Sequence, residues 1–231
     1  AIAADVGIEC DVQVAGTGTP VVFHDETLER LTSMTGPISN VSPDQLGRTH
    51  LMGPDGPTPD VIEPLSAILK LISGRVPLLI EVKGSWHAAT APGSISAIAE
   101  VVRAACGPIA LKSFHPEIVR QLRSHLPDYP IGIVARDFSK LPANAQTPPL
   151  AQRGALTNLR AHDVAVDFVS YHVESLASEA IARFKRTTGV PVFTWTVRTR
   201  DDLANAARHA NAAVFEALAP SEVRAAFASQ S

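Results

Sequence analysis

Glu9 and Asp11 lie two residues apart in the run Gly7-Ile8-Glu9-Cys10-Asp11-Val12-Gln13, which otherwise reads as strand. Residues two apart on a strand share a face, so the two carboxylates point one way while Ile8, Cys10 and Val12 point the other. Unpaired charge on an inner face is costly, and a cation between the carboxylates would remove that cost. Glu81 and Lys83 repeat the spacing after the apolar run Val76-Pro77-Leu78-Leu79-Ile80. Three carboxylates offer hard oxygen donors, which suit Ca2+ or Mg2+ better than Zn2+, whose preferred partners are His and Cys. Salt bridges from these carboxylates to interior lysines or arginines are the alternative arrangement, and both stay open at this point.

Other residues with chemistry to offer follow in order. His24 comes after Val21-Val22-Phe23 and precedes Asp25, which either fixes the imidazole tautomer or forms a local cap. Arg30 either supports the His24 loop or binds a phosphate. Trp195 forms an apolar wall beside a substrate or is ordinary packing. His115 and His172 each follow an expected strand. Cys10 and Cys106 lack metal-ligand spacing and read as free thiols.

Something must position these groups. Apolar, β-branched runs alternate with Ala/Leu/Arg-rich stretches of helical period along the whole chain. Strands are expected at 8–14, 77–83, 108–113, 131–135, 166–171, 190–197 and 212–216. Helices are expected at about 61–73, 93–106, 116–126, 152–162, 175–188, 200–209 and 220–229, the fifth of these capped by Ser175. Strands each followed by a helix predict a parallel sheet of the α/β class. No strand is followed by Gly-x-Gly-x-x-Gly, so a TIM (βα)8 barrel is favoured over a dinucleotide-binding sheet. A barrel needs eight βα units and seven are counted. The opening Ala1 to Gly7 resembles the last turn of a helix closed by Gly7, so a first βα unit is expected upstream of Ala1. Thr32 to Pro59, rich in Gly, Pro and Ser, is expected to be an excursion of a single barrel domain 1–231, without a core of its own.

Composition sets outer limits. The formal net charge is −3 and no basic run is present, so nucleic acid is not an expected partner. No apolar stretch approaches the roughly 20 residues needed to span a bilayer. Two sparse cysteines lean towards the cytoplasm.

The run Gly7 to Thr32, with Glu9-x-Asp11, His24-Asp25, Leu28 and Arg30-Leu31-Thr32, resembles the glycerophosphodiester phosphodiesterase family. So do Glu81-x-Lys83, Ser113-Phe114 and Trp195-Thr196-Val197, in the same order across nearly the whole chain. The resemblance implies a TIM barrel that cleaves glycerophosphodiesters to sn-glycerol 3-phosphate and an alcohol with a divalent cation. By the same resemblance Glu9, Asp11 and Glu81 are metal ligands, His24 is one of two catalytic histidines, and Lys83 contacts phosphate. The chain departs from the family in two places. The His-Arg-Gly motif that carries the other catalytic histidine is absent from residues 1–231. Val214-Phe215-Glu216 also stands where many members have Thr-Asp. A lysophospholipase D-like enzyme, or a catalytically silent binding protein of the same fold, is the competing expectation.

Overall fold

The structure is a computed structural model and describes residues 1–85, 91–141, 148, 153, 157, 159 and 165–228. Its frame is an eight-stranded sheet. β1 (Ile8–Val14) turns back into β2 (Pro20–Val22), and β5 (Leu78–Val82), β6 (Ile109–Ser113), β7 (Ile131–Ala135), β8 (Phe168–His172), β9 (Val192–Val197) and β10 (Ala212–Phe215) follow in sequence. The strand order is β10-β9-β8-β7-β6-β5-β1-β2, parallel throughout except for the β1–β2 hairpin. All seven expected strands are present. The α/β sheet curls, since one cavity is lined both by Ile8, Glu9 and Asp11 of β1 and by Ala212 to Phe215 of β10. β10 and β1 do not pair with each other, so the barrel is open along that side.

Helices cover the outer face. α2 (Leu65–Ile72) buries Leu65, Leu69 and Ile72, a stripe at helical spacing. α3 (Ser94–Arg103) and α4 (Pro116–His125) follow, α4 with Pro116 in its first turn, where the missing N–H costs nothing. α5 (Glu179–Thr188) ends at Gly189, whose φ of 68° supplies the left-handed cap. α6 (Arg200–His209) starts from a Thr199/Asp202 capping box, and α7 (Pro220–Ala228) closes the described chain. Against these helices pack Cys10 and Val12 of β1 with Leu78, Ile80 and Val82 of β5. The outward alternation of β1 is therefore the one its sequence predicts.

Several expectations are corrected. The fifth expected helix begins at Glu179 and not at Ser175, because Val173–Ser175 forms a separate 3-10 turn. Near the start, Ile2–Ala4 is a 3-10 turn closed by Asp5 in the left-handed region (φ 51°), not by Gly7. Arg224 of α7 donates to the carbonyls of Ala4 and Asp5 at 2.7 Å each, tying the last helix to this turn. The excursion holds α1 (Pro43–Leu46) and an antiparallel ribbon of β3 (His50–Gly53) and β4 (Gly56–Val61). Ile38, Val41 and Leu46 of the excursion pack with Ala15, Val21, Phe23, Leu28 and Ile62, all from outside it. Ile38, Val41 and Leu46 stand singly in the sequence, so no periodicity announces them. The helix expected over 152–162 lies almost wholly outside the described residues. No described helix is long and apolar enough to cross a membrane.

Candidate active site

Parallel register builds the site. Asp11 on β1 sits opposite Glu81 on β5, and Glu81 sits opposite Lys112 on β6. Glu9 lies two residues before Asp11, and Lys83 two residues after Glu81, on the same inward face. Gly132 on β7 is next in the row, and its lack of a side chain leaves room for the Phe168 ring, whose carbons would stand 2.3 Å from a Cβ there. Around this row opens a cavity of about 1600 Å3.

The charged groups are tightly interlocked. Lys112, only 1% exposed, reaches Glu9 Oε1 at 2.8 Å and Glu81 Oε2 at 3.1 Å. Lys83 reaches Glu81 Oε1 at 2.5 Å and Asp11 Oδ1 at 2.8 Å. Burial alone would raise the Glu81 pKa, but Lys112 and Lys83 overcome it and hold the carboxyl below its ordinary value. Burial likewise opposes charge on both lysines, and the carboxylates outweigh it and raise them. Glu9 goes the other way: burial raises it, Lys112 opposes, and the like charges of Asp11 and Glu81 add to the rise. Cys10, on the opposite face of β1, is pushed up to about 12 by burial and then by Glu9 and Asp11, so it stays a thiol.

The interior salt bridges left open by the sequence are thus present, and they do not exclude a cation. Three carboxylates and two ammonium groups leave one negative charge uncompensated. One ligand oxygen from each of Glu9, Asp11 and Glu81 lies within 4.8 Å of the others. A carboxylate offers about four lone-pair sites, more than the lysines use. Hard oxygen donors carrying surplus negative charge fit a divalent cation of the Ca2+ or Mg2+ type.

His24 is brought to this row by the hairpin. Val12 pairs with Val22, and the Phe23 N–H donates to the Asp11 carbonyl at 3.0 Å. The imidazole lines the cavity with its side chain 58% exposed. Its Nδ1 meets Asp25 Oδ1 at 2.6 Å. Arg30 grips the same carboxylate in fork geometry, Nε to Oδ2 at 2.6 Å and a terminal nitrogen to Oδ1 at 2.7 Å. The Arg30 hydrogen bonds come first among the causes that hold Asp25 below its ordinary pKa, ahead of the His24 hydrogen bond, while burial opposes them. An ionised carboxylate only accepts, so Nδ1 carries a proton, and in the neutral ring this tautomer leaves the lone pair on Nε2. Arg30 is therefore placed behind His24 as the partner of Asp25 and does not line the cavity.

Trp195 does line it. Its indole N–H donates to the Ser170 carbonyl at 3.2 Å, and its ring meets Phe114 edge-on, with centroids 5.4 Å apart. His172, Arg136, Arg198 and Glu216 line the same end, Arg198 paired with Glu216. His115 is not among the lining residues. Sequence reasoning passed over Lys112, Arg136 and Arg198. Lys112 had left a signal, a charge inside the apolar strand Ile109-Ala110-Leu111-Lys112-Ser113.

Known proteins resemble the chain in sequence and in fold. The bovine glycerophosphodiester phosphodiesterase 1 is 20% identical over 214 residues, covering 85% of this chain and 64% of that protein. The chain thus spans less than two thirds of that relative. An Oleispira antarctica phosphodiesterase, solved in complex with the product sn-glycerol-3-phosphate, superposes with a TM-score of 0.70 at 20% identity, covering 95% of this chain and 84% of the other. A glycerophosphodiester phosphodiesterase from Parabacteroides distasonis gives 0.71 at 16% identity, covering 97% and 84%. At these identities the superpositions show the fold, that of these barrel proteins. The sequence model of the glycerophosphoryl diester phosphodiesterase family matches residues 2–216, nearly the whole length, and the chain belongs to that family.

Proposed function

We propose that the protein hydrolyses glycerophosphodiesters to sn-glycerol 3-phosphate and an alcohol, with a divalent cation held by Glu9, Asp11 and Glu81. The observation that carries this reading is the carboxylate–lysine row set beside an Asp25-anchored histidine, at the end of a barrel where such sites are built. When bound, Ca2+ or Mg2+ would neutralise charge gathering on the phosphoryl oxygens. Lys83, at the rim of the row, offers an ammonium to those same oxygens. His24 Nε2 takes the proton from the attacking hydroxyl, and Asp25 stabilises the imidazolium that results; the phosphorus–oxygen bond to the alcohol breaks, and the departing alkoxide takes a proton from solvent. With water as the attacking group the product is glycerol 3-phosphate directly, and with the glycerol 2-hydroxyl it is a cyclic phosphate that water then opens. Arg30 keeps Asp25 ionised and in place while this happens. Trp195 and Phe114 wall the cavity and keep water from that side. The product bound to the Oleispira antarctica phosphodiesterase is of the class this chemistry yields.

The test is release of glycerol 3-phosphate from glycerophosphodiesters by the full-length protein. Turnover is expected with Mg2+ or Ca2+, to vanish with excess chelator and to return when the cation is restored. Undiminished turnover in chelator, or a harmless Glu9→Ala, would sink the metal assignment.

A further inference from the structure

The cavity wall holds a cation that neither the carboxylate row nor the His24–Asp25 pair employs. Arg136 follows β7, two strands from Glu81 and Lys83. At the ordinary strand spacing that is about 10 Å, too far to share a phosphoryl oxygen with the row but a fitting span for a phosphate and the first atoms of its alcohol. Arg136 lines the cavity, with its guanidinium carbon over the Trp195 ring at 5.9 Å from the centroid. Its Nε is shut off from solvent and meets no hydrogen-bond acceptor among the described residues. No carboxylate lies within 4 Å of the guanidinium among the described residues, and Glu174 and Asp137 act on it only at a distance. The neighbouring Arg198 is already matched by Glu216. His172, edge-on to Trp195 at 4.8 Å, has its pKa lowered by burial and then by Arg136, which favours the neutral ring.

A guanidinium that lines the cavity with no carboxylate closing on it among the described residues is a place made for an anion. An aromatic wall alone would suit a quaternary ammonium, but here Arg136 already stands over the Trp195 ring and would repel one. Resting on the phosphodiesterase reading, we propose that Arg136, Trp195 and His172 form the subsite for the alcohol half of the diester, and that this subsite selects alcohols bearing negative charge of their own.

The experiment compares kcat/KM of the full-length protein, with Mg2+ present, on glycerophosphocholine, glycerophosphoglycerol and glycerophosphoinositol 4-phosphate. The expected order rises from choline through glycerol to the phosphorylated inositol, with at least about tenfold between the extremes. Arg136→Gln should shrink that ratio by about tenfold, and Arg136→Lys should hold it within about threefold. Because each ratio is taken within one variant, a loss of folded protein cancels. Equal efficiency on all three substrates, or a preference for choline, overturns the subsite while leaving the phosphodiesterase intact. An equal loss on all three in Arg136→Gln also overturns it, since Arg136 would then serve the scissile phosphate. Cleavage of none of the three overturns the phosphodiesterase reading and the subsite together.

Discussion

Replacing Lys112 with methionine is expected to lower the stability of the cation-free protein by about 3–5 kcal/mol, the usual result of removing one partner from a buried ion pair. Methionine nearly matches lysine in length, so the cost does not come from a cavity. It comes from Glu9 and Glu81, which lose an ammonium at 2.8 and 3.1 Å and face each other and Asp11 with only Lys83 left to compensate. Denaturant unfolding in chelator measures the loss. Adding Glu9→Gln to Lys112→Met should recover part of it, because the double variant removes charge from both sides of the pair. Ca2+ or Mg2+ should stabilise Lys112→Met more than the parent, since the carboxylates there carry more surplus charge. A variant as stable as the parent in chelator would mean that the Lys112 contacts contribute nothing.

His24→Ala is expected to lower kcat by about 10²–10⁴-fold, the range for removing a general acid–base group. The fold should barely notice, since the imidazole is 58% exposed and its side chain bonds the adjacent Asp25. That split between activity and stability separates a chemical role from a structural one. Asp25→Asn should give a smaller loss in the same direction, because it leaves the imidazole in place but removes the acceptor that holds Nδ1–H. Turnover in His24→Ala within a few-fold of the parent would exclude the imidazole from the proton transfer.

The carboxylates were legible because strand period is local: Glu9, Asp11, Glu81 and Lys83 announce a shared face within three residues each. Lys112 carried the same signal, yet its meaning depends on register across β5 and β6, which pairs residues thirty-one apart and is written in no short window. Arg30 was legible as a cation near His24, but its fork onto Asp25 appears only in the assembled hairpin. β2 has three residues, too few to show alternation. β3 and β4 are joined at Gly53-Pro54-Asp55-Gly56, a clear turn signal, but Pro57 and Pro59 argue against a strand and are tolerated because this ribbon has only two strands, both of them edges. Arg136 was invisible for another reason. Its interest lies in what it lacks, and a missing partner appears only when the whole rim is assembled.

The central claim is that Glu9, Asp11 and Glu81 hold a divalent cation against the pull of two lysines. Anomalous diffraction from crystals of the protein soaked in Mn2+, a stand-in for Mg2+ and Ca2+, addresses it directly. A peak is expected within about 2.0–2.6 Å of a carboxylate oxygen from each of the three residues. A fully occupied Mn2+ elsewhere in the cavity, with Lys83 and Lys112 still closing the three carboxylates, would contradict it.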